Sequence, residues 1–165
     1  MVKHKSASGK NLAKPGAKEH KLLYFTVAAI ALICLMLSIL IMHEKKYYET
    51  GEKSLCTVIT DGNGCQIVQT SKYAQIFGFK NPYLGIFGYT ILGLSAIMFA
   101  IRRIKVYKYI VMLGGFASGA LAAYFLYVQT FILNIYCIFC VCVDILSLIL
   151  LGISIYLTIN HFRKK

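Results

Sequence analysis

Long stretches without a charged residue constrain this chain more than any other feature. Leu22 to Met42 holds no charge, Leu84 to Ile101 holds none, and from Tyr109 to Asn160 the single charge is Asp144. Crossing about 30 Å of hydrocarbon takes about 20 helical residues. Lipid admits only helices or closed barrels, and barrel strands run to about ten residues. The first two runs each predict one membrane helix. The third is long enough for two, divided at the polar break Thr130–Asn134–Tyr136 before Cys137. The expected fold is therefore all-α: a transmembrane four-helix bundle over 22–160, with helices near 22–42, 84–101, 109–131 and 138–159. A basic tail, 1–21, expected to be disordered, and a basic end, 161–165, flank it. With 58% hydrophobic and 15% charged residues, the chain departs from the roughly 45–50% and 25% of soluble domains in the direction this fold requires.

The first run does not read as a cleaved signal peptide. It is longer than the usual apolar core of about 7–15 residues, and His43-Glu44-Lys45 stands where a small-residue cleavage site belongs. It reads as a retained anchor.

A net charge of +12 would in isolation suggest a nucleic-acid partner. The cations instead punctuate the apolar runs. Lys3, Lys5, Lys10, Lys14, Lys18 and Lys21 precede the first span, Arg102, Arg103, Lys105 and Lys108 fill the second loop, and Arg163, Lys164 and Lys165 end the chain. The first loop balances its lysines with Glu44, Glu49, Glu52 and Asp61, and the third loop is uncharged. The positive-inside rule then places both termini in the cytoplasm. The 43–83 loop and the 132–137 turn fall together on the outer, periplasmic side of a cell (inner) membrane. No nucleic acid is expected.

That topology gathers the cysteines. Cys56 and Cys65 flank a segment of turn formers, Thr60-Asp61-Gly62-Asn63-Gly64, in the first loop, and Cys137-Ile138-Phe139-Cys140 opens the fourth helix. Both pairs are expected on the oxidising face, where disulfides persist. At a helix N-terminus the free N–H groups and the helix dipole favour thiolate over thiol, which suits Cys137 and Cys140 to exchange. Three chemistries fit: redox exchange between the pairs, two structural disulfides, and a closed four-cysteine zinc site, although Cys-x8-Cys lies outside the usual zinc spacing. Cys34 and Cys142 read as core residues.

Asp144 stands four residues after Cys140, on the same helical face. A carboxylate at membrane depth is costly and is a functional candidate by default. It reads either as a proton relay or as a neutral acid hydrogen-bonded to a neighbouring helix. Phe77, Phe79, Tyr83, Phe87, Tyr89 and Tyr136 could wall a pocket for a flat ring, although interfacial tyrosines are common in membrane proteins. Gly115 and Gly119 form a Gly-x-x-x-Gly that reads as helix packing.

The order of these motifs carries a resemblance. A loop pair of cysteines is followed by Ser71-Lys72-Tyr73-Ala74-Gln75-Ile76-Phe77-Gly78, then Asn81-Pro82-Tyr83-Leu84-Gly85-Ile86-Phe87-Gly88-Tyr89, and finally Cys137-Ile138-Phe139-Cys140. From about residue 20 to 160 the chain resembles the vitamin K epoxide reductase family, in its bacterial or archaeal disulfide-forming branch. The quinone-linked protein DsbB carries its two kinds of cysteine pair in the opposite order.

The resemblance implies a membrane thiol oxidase. Cys56 would exchange with a secreted thioredoxin-fold oxidase of the DsbA kind, a separate protein here. Cys65 would pass electrons to Cys137, and Cys140 would deliver them to a membrane quinone, ubiquinone or menaquinone. Ser71 would lie beside the quinone pocket at a short horizontal helix, and Asn81 would hydrogen-bond a quinone ketone. Phe87, Tyr89 and Asp144 complete the expected pocket on the reading of the residues alone, since the family has no general acidic residue at the position of Asp144. Read without the family, Ser71 is equally an N-cap and Asn81 equally a turn residue before Pro82. Vitamin K epoxide reduction proper is the alternative within the family. A non-enzymatic tetraspan protein with structural disulfides is the alternative outside it. Exchange requires Cys65 to reach Cys137, with Cα atoms under about 7 Å, beside an apolar cleft. A stapled structural protein needs no cleft.

Overall fold

The computed structural model describes residues 15–50, 56, 64–76 and 78–163. Four helices long and apolar enough to cross a membrane lie over the uncharged runs: α1 (Pro15–Thr50), α3 (Asn81–Arg102), α4 (Lys105–Tyr127, prolonged by a π-helical segment, Val128–Leu133) and α5 (Ile138–Phe162). A short helix, α2 (Gly64–Thr70), lies in the first loop and touches α1 and α5. The protein is a multi-pass membrane bundle. α1 already runs from Pro15, so the helix takes in the last part of the expected tail; residues 1–14 lie outside the described residues.

The helices begin and end for local reasons. Pro82 sits in the first turn of α3, where its missing N–H costs nothing, so that helix starts ahead of its apolar run. It stops at Arg103, which adopts the left-handed conformation (φ 54°) and returns its N–H to the Phe99 carbonyl at 3.0 Å. Between α2 and α3, a 3₁₀ turn (Lys72–Ala74) leads into a two-stranded antiparallel hairpin, β1 (Gln75–Ile76) with β2 (Phe79–Lys80). Gly78, at φ +82°, supplies the left-handed residue that so short a connection demands.

Inside the bundle, small residues let the helices approach closely around larger buried side chains such as Tyr24, Leu92 and Leu150. α1 and α3 meet through Ala28, Ala31, Ala96 and Ala100, all buried. On α4, a Cβ on Gly115 would strike Ser154, and one on Gly119 would stand 2.5 Å from Cβ of Leu151. The Gly-x-x-x-Gly therefore seats α4 against α5, as expected. Large apolar side chains such as Leu22, Leu113 and Phe131 project outward, each 70% exposed. In lipid this is the stable arrangement, since chain-facing and lipid-facing apolar atoms differ little and close packing decides the interior.

Candidate functional site

The C-terminal end of α1, the N-terminus of α3, the π-helical end of α4 and the N-terminus of α5 share one end of the bundle. Both cysteine pairs lie there. Cys56 and Cys65 are disulfide-bonded with Cα atoms 6.4 Å apart, and Cys137 and Cys140 are bonded with Cα atoms 5.2 Å apart. Cys56, Cys65 and Cys137 form one fully buried cluster against Val68, Phe139 and Cys140. Gly64 is what allows this approach. A Cβ there would stand 2.6 Å from the Tyr136 carbonyl oxygen, so only a bare backbone lets α2 bring Cys65 against the segment that enters α5.

Each pair is also anchored through its first cysteine. The Cys56 N–H donates to Oε2 of Glu44, buried at the end of the first span, at 3.3 Å. Cys137 is the N-cap of α5, and its sulfur accepts from the Cys140 N–H at 3.3 Å. The first sulfur of the Cys-x-x-Cys thus sits where a helix end best stabilises developing negative charge.

Beside Cys140 opens a cleft of about 550 Å³, within the range that holds small organic ligands. Its walls are mainly apolar, and Ser71, Asn81, Tyr89 and Asp144 all line it. Ser71 follows α2 at the N-cap position of the 3₁₀ turn; its hydroxyl donates back to the Val68 carbonyl at 2.8 Å and makes no cap. Asn81 is the first residue of α3, and its Nδ2 donates to the Tyr73 carbonyl at 3.2 Å, tying α3 to the 3₁₀ turn. The Tyr89 hydroxyl and Ser147 Oγ lie 2.6 Å apart, and Ser147 donates to the Val143 carbonyl, so Tyr89 is the donor of that pair.

Three expectations are corrected. Phe87 does not line the cleft: two residues from Tyr89 on a helix it faces the opposite way, 70% exposed. Phe79 and Tyr136 are likewise exposed and stand off the lining, whereas Tyr83 contributes to it; Phe77 lies outside the described residues. Cys142 is exposed and not a core residue, because two steps along α5 from both Cys140 and Asp144 turn it away from the bundle. Cys34 is buried, as expected.

Two residues enter the site without having been foreseen, Gln129 and Gln69. Gln129, 2% exposed, comes from the π-helical segment. Its Oε1 accepts the Cys137 N–H at 3.1 Å and its Nε2 donates to Asp144 Oδ2 at 3.2 Å. The first bond fixes the amide's orientation, because only its oxygen can accept, and the second then joins Asp144 to the Cys-x-x-Cys. Asp144 is hydrogen-bonded to a neighbouring helix and lies at the cleft wall; both readings of it survive. Gln129 had a signal: with Gly115, Gly119 and Ala122 it forms a heptad-spaced buried stripe.

The cleft suits a quinone head: apolar walls for the ring, amide and carboxyl groups for its oxygens, and Cys140 at the wall. Among the described residues, the buried side-chain atoms without a partner are Oδ1 of Asn81 and both polar atoms of Gln69, and both residues line this cleft.

No curated protein matches the chain. Residues 25–163, however, match the sequence model of the vitamin K epoxide reductase family. Since that match reaches all four spans and includes both cysteine pairs, the chain belongs to the vitamin K epoxide reductase family, whose members are membrane oxidoreductases of disulfides and quinones.

Proposed function

We propose that the protein is a quinone-dependent thiol oxidase that generates disulfides. The observation carrying this reading is the single buried cluster of Cys56, Cys65 and Cys137, with Cys140 at the wall of an apolar cleft. A stapled structural protein would have no use for that juxtaposition.

The reaction converts two thiols and a quinone to a disulfide and a quinol. A thiolate of the partner, a secreted thioredoxin-fold protein of the DsbA kind, attacks Cys56 and releases the Cys65 thiolate. The partner's second thiol resolves that mixed disulfide and leaves oxidised. Cys65 then attacks Cys137 and releases Cys140. Attack of Cys56 on Cys65 restores the loop disulfide and leaves Cys137 and Cys140 reduced. Quinone, when bound, accepts their two electrons with two protons. Asp144 holds one of those protons at the cleft wall, and Gln129 holds Asp144. Arg102, Arg103, Lys105 and Lys108 lie at or beside the α3–α4 turn, at the opposite end of the bundle from the cysteines. The positive-inside rule supports a periplasmic site with cytoplasmic termini.

Thiol trapping of each Cys→Ala variant in membranes, with and without quinone, tests the reading. Reduced Cys137 and Cys140 accumulate in the parent when acceptor is withheld and reoxidise on its return, and Cys65→Ala holds the partner on Cys56. A set of cysteines indifferent to quinone refutes it.

A further inference from the structure

The Gln69 amide is buried and unpaired at the wall of the cleft. It lies in α2, four residues after Cys65, and lines the cleft, yet Nε2 and Oε1 are both buried and without a hydrogen-bond partner. Asn81 Oδ1, also lining the cleft, is in the same condition although its Nδ2 is bonded to the Tyr73 carbonyl. Buried polar atoms are almost always paired, and an unpaired one costs stability. By contrast, the other buried amide of this site, Gln129, has both ends bonded. Leucine or methionine would fill the Gln69 position at lower cost.

We infer that Gln69 is a ligand-binding residue of the cleft whose amide pairs with an oxygen on the ring of the electron acceptor. This rests on the quinone reading above and assigns one of its contacts. A primary amide suits a ligand that changes from ketone to hydroxyl. Its N–H₂ donates to a ring ketone, and after reduction its carbonyl accepts from the hydroxyl that replaces it. Asn81 Oδ1 can accept only, so it engages the hydroxyl form. Gln69 can therefore meet both redox forms, and Asn81 adds a contact to the reduced one. Because Gln69 and Cys65 share a face of α2, the same short helix carries a cysteine of the loop pair and a contact to the final acceptor.

The test uses the full-length protein in detergent micelles with a short-chain benzoquinone and a short-chain naphthoquinone as probes. Thermal unfolding is followed with and without probe, and quinone-dependent thiol oxidation is measured alongside. Gln69→Leu is expected to unfold at the parent's temperature or higher without quinone. It is expected to lose most of the quinone-induced upward shift and to raise the KM for quinone about tenfold, as a lost polar contact of about 1.4 kcal/mol does. Gln69→Met, unbranched like glutamine, should behave the same way and serves if the leucine variant does not fold. Lower stability without quinone, combined with an unchanged shift and KM, makes Gln69 structural and overturns the inference. A parent that neither shifts nor oxidises thiols with either quinone overturns the functional reading as well; a responsive parent with an equally responsive variant overturns only the role of Gln69.

Discussion

Replacing Gln129 by leucine, close to it in size, removes both hydrogen bonds of the bridge between α4 and α5 while leaving the packing nearly filled. The Cys137 N–H and Asp144 Oδ2 both lose their partner; Cys137 is fully buried and Asp144 is 5% exposed. A buried polar group stranded in this way costs about 1–3 kcal/mol. Gln129→Leu should therefore cost about 2–4 kcal/mol, with the smaller share from Asp144, which can turn toward the cleft. Asp144→Leu alone strands only the Gln129 N–H and should cost about 1–3 kcal/mol. The double variant strands only the Cys137 N–H. Its loss should fall short of the sum of the single losses by at least about 1 kcal/mol, the signature of directly bonded groups. Reversible unfolding in mixed micelles supplies the four free energies, and reoxidation of Cys137 and Cys140 by quinone supplies the functional arm. There Gln129→Leu should be slow even at saturating quinone, because its effect falls on the position of the Cys-x-x-Cys. Losses that add within about 0.5 kcal/mol, together with parental reoxidation, would refute the bridge.

Two further outcomes are expected. Asp144→Asn keeps an acceptor for Gln129 but removes the acid, so quinone reduction should slow about 100-fold while exchange between partner and Cys56 is unchanged; rapid-mixing assays separate the two steps, and unaltered quinone turnover removes the relay. Gly64→Ala places a Cβ 2.6 Å from the Tyr136 carbonyl oxygen and must push α2 away. Transfer from the loop pair to Cys137 should fall by up to about 100-fold, as a displacement of about 1 Å can cause. Mixed disulfide formation at Cys56 should persist, and equal loss at both steps would show a folding defect instead.

Much of the fold was legible because lipid is an unforgiving solvent. Leu22–Met42 and Leu84–Ile101 could be nothing but spans, and the long run around Asp144 had to be two. Once four crossings are counted, the first loop and the third must share an end, and Cys56, Cys65, Cys137 and Cys140 share it with them. Asp144 announced itself as a lone charge within a span. That Gly115 and Gly119 pack α4 closely against another helix was readable from their spacing, and the structure supplied α5 as that helix.

Which residues face the site was another matter. Seeking aromatic walls chose Phe87, which α3 turns to the outside two residues before Tyr89. It also passed over the two glutamines, Gln129 because it carries no charge to make it conspicuous in an apolar stretch and Gln69 because it is one polar residue among many in the first loop. In water, burial sorts apolar from polar residues and the sequence displays the result. In lipid both faces of a helix are apolar, so the inward stripe is marked only by small and polar residues, as Asp144, Ser147 and Ser154 mark it on α5. The chain by itself determined how many times it crosses the membrane and which cysteines meet at one end. Only the packed helices decided that Gln129 would hold Cys137 and Asp144 together and that Gln69 would be left open in the cleft. Those contacts depend on the rotation of each helix about its own axis, and that rotation is set by its neighbours.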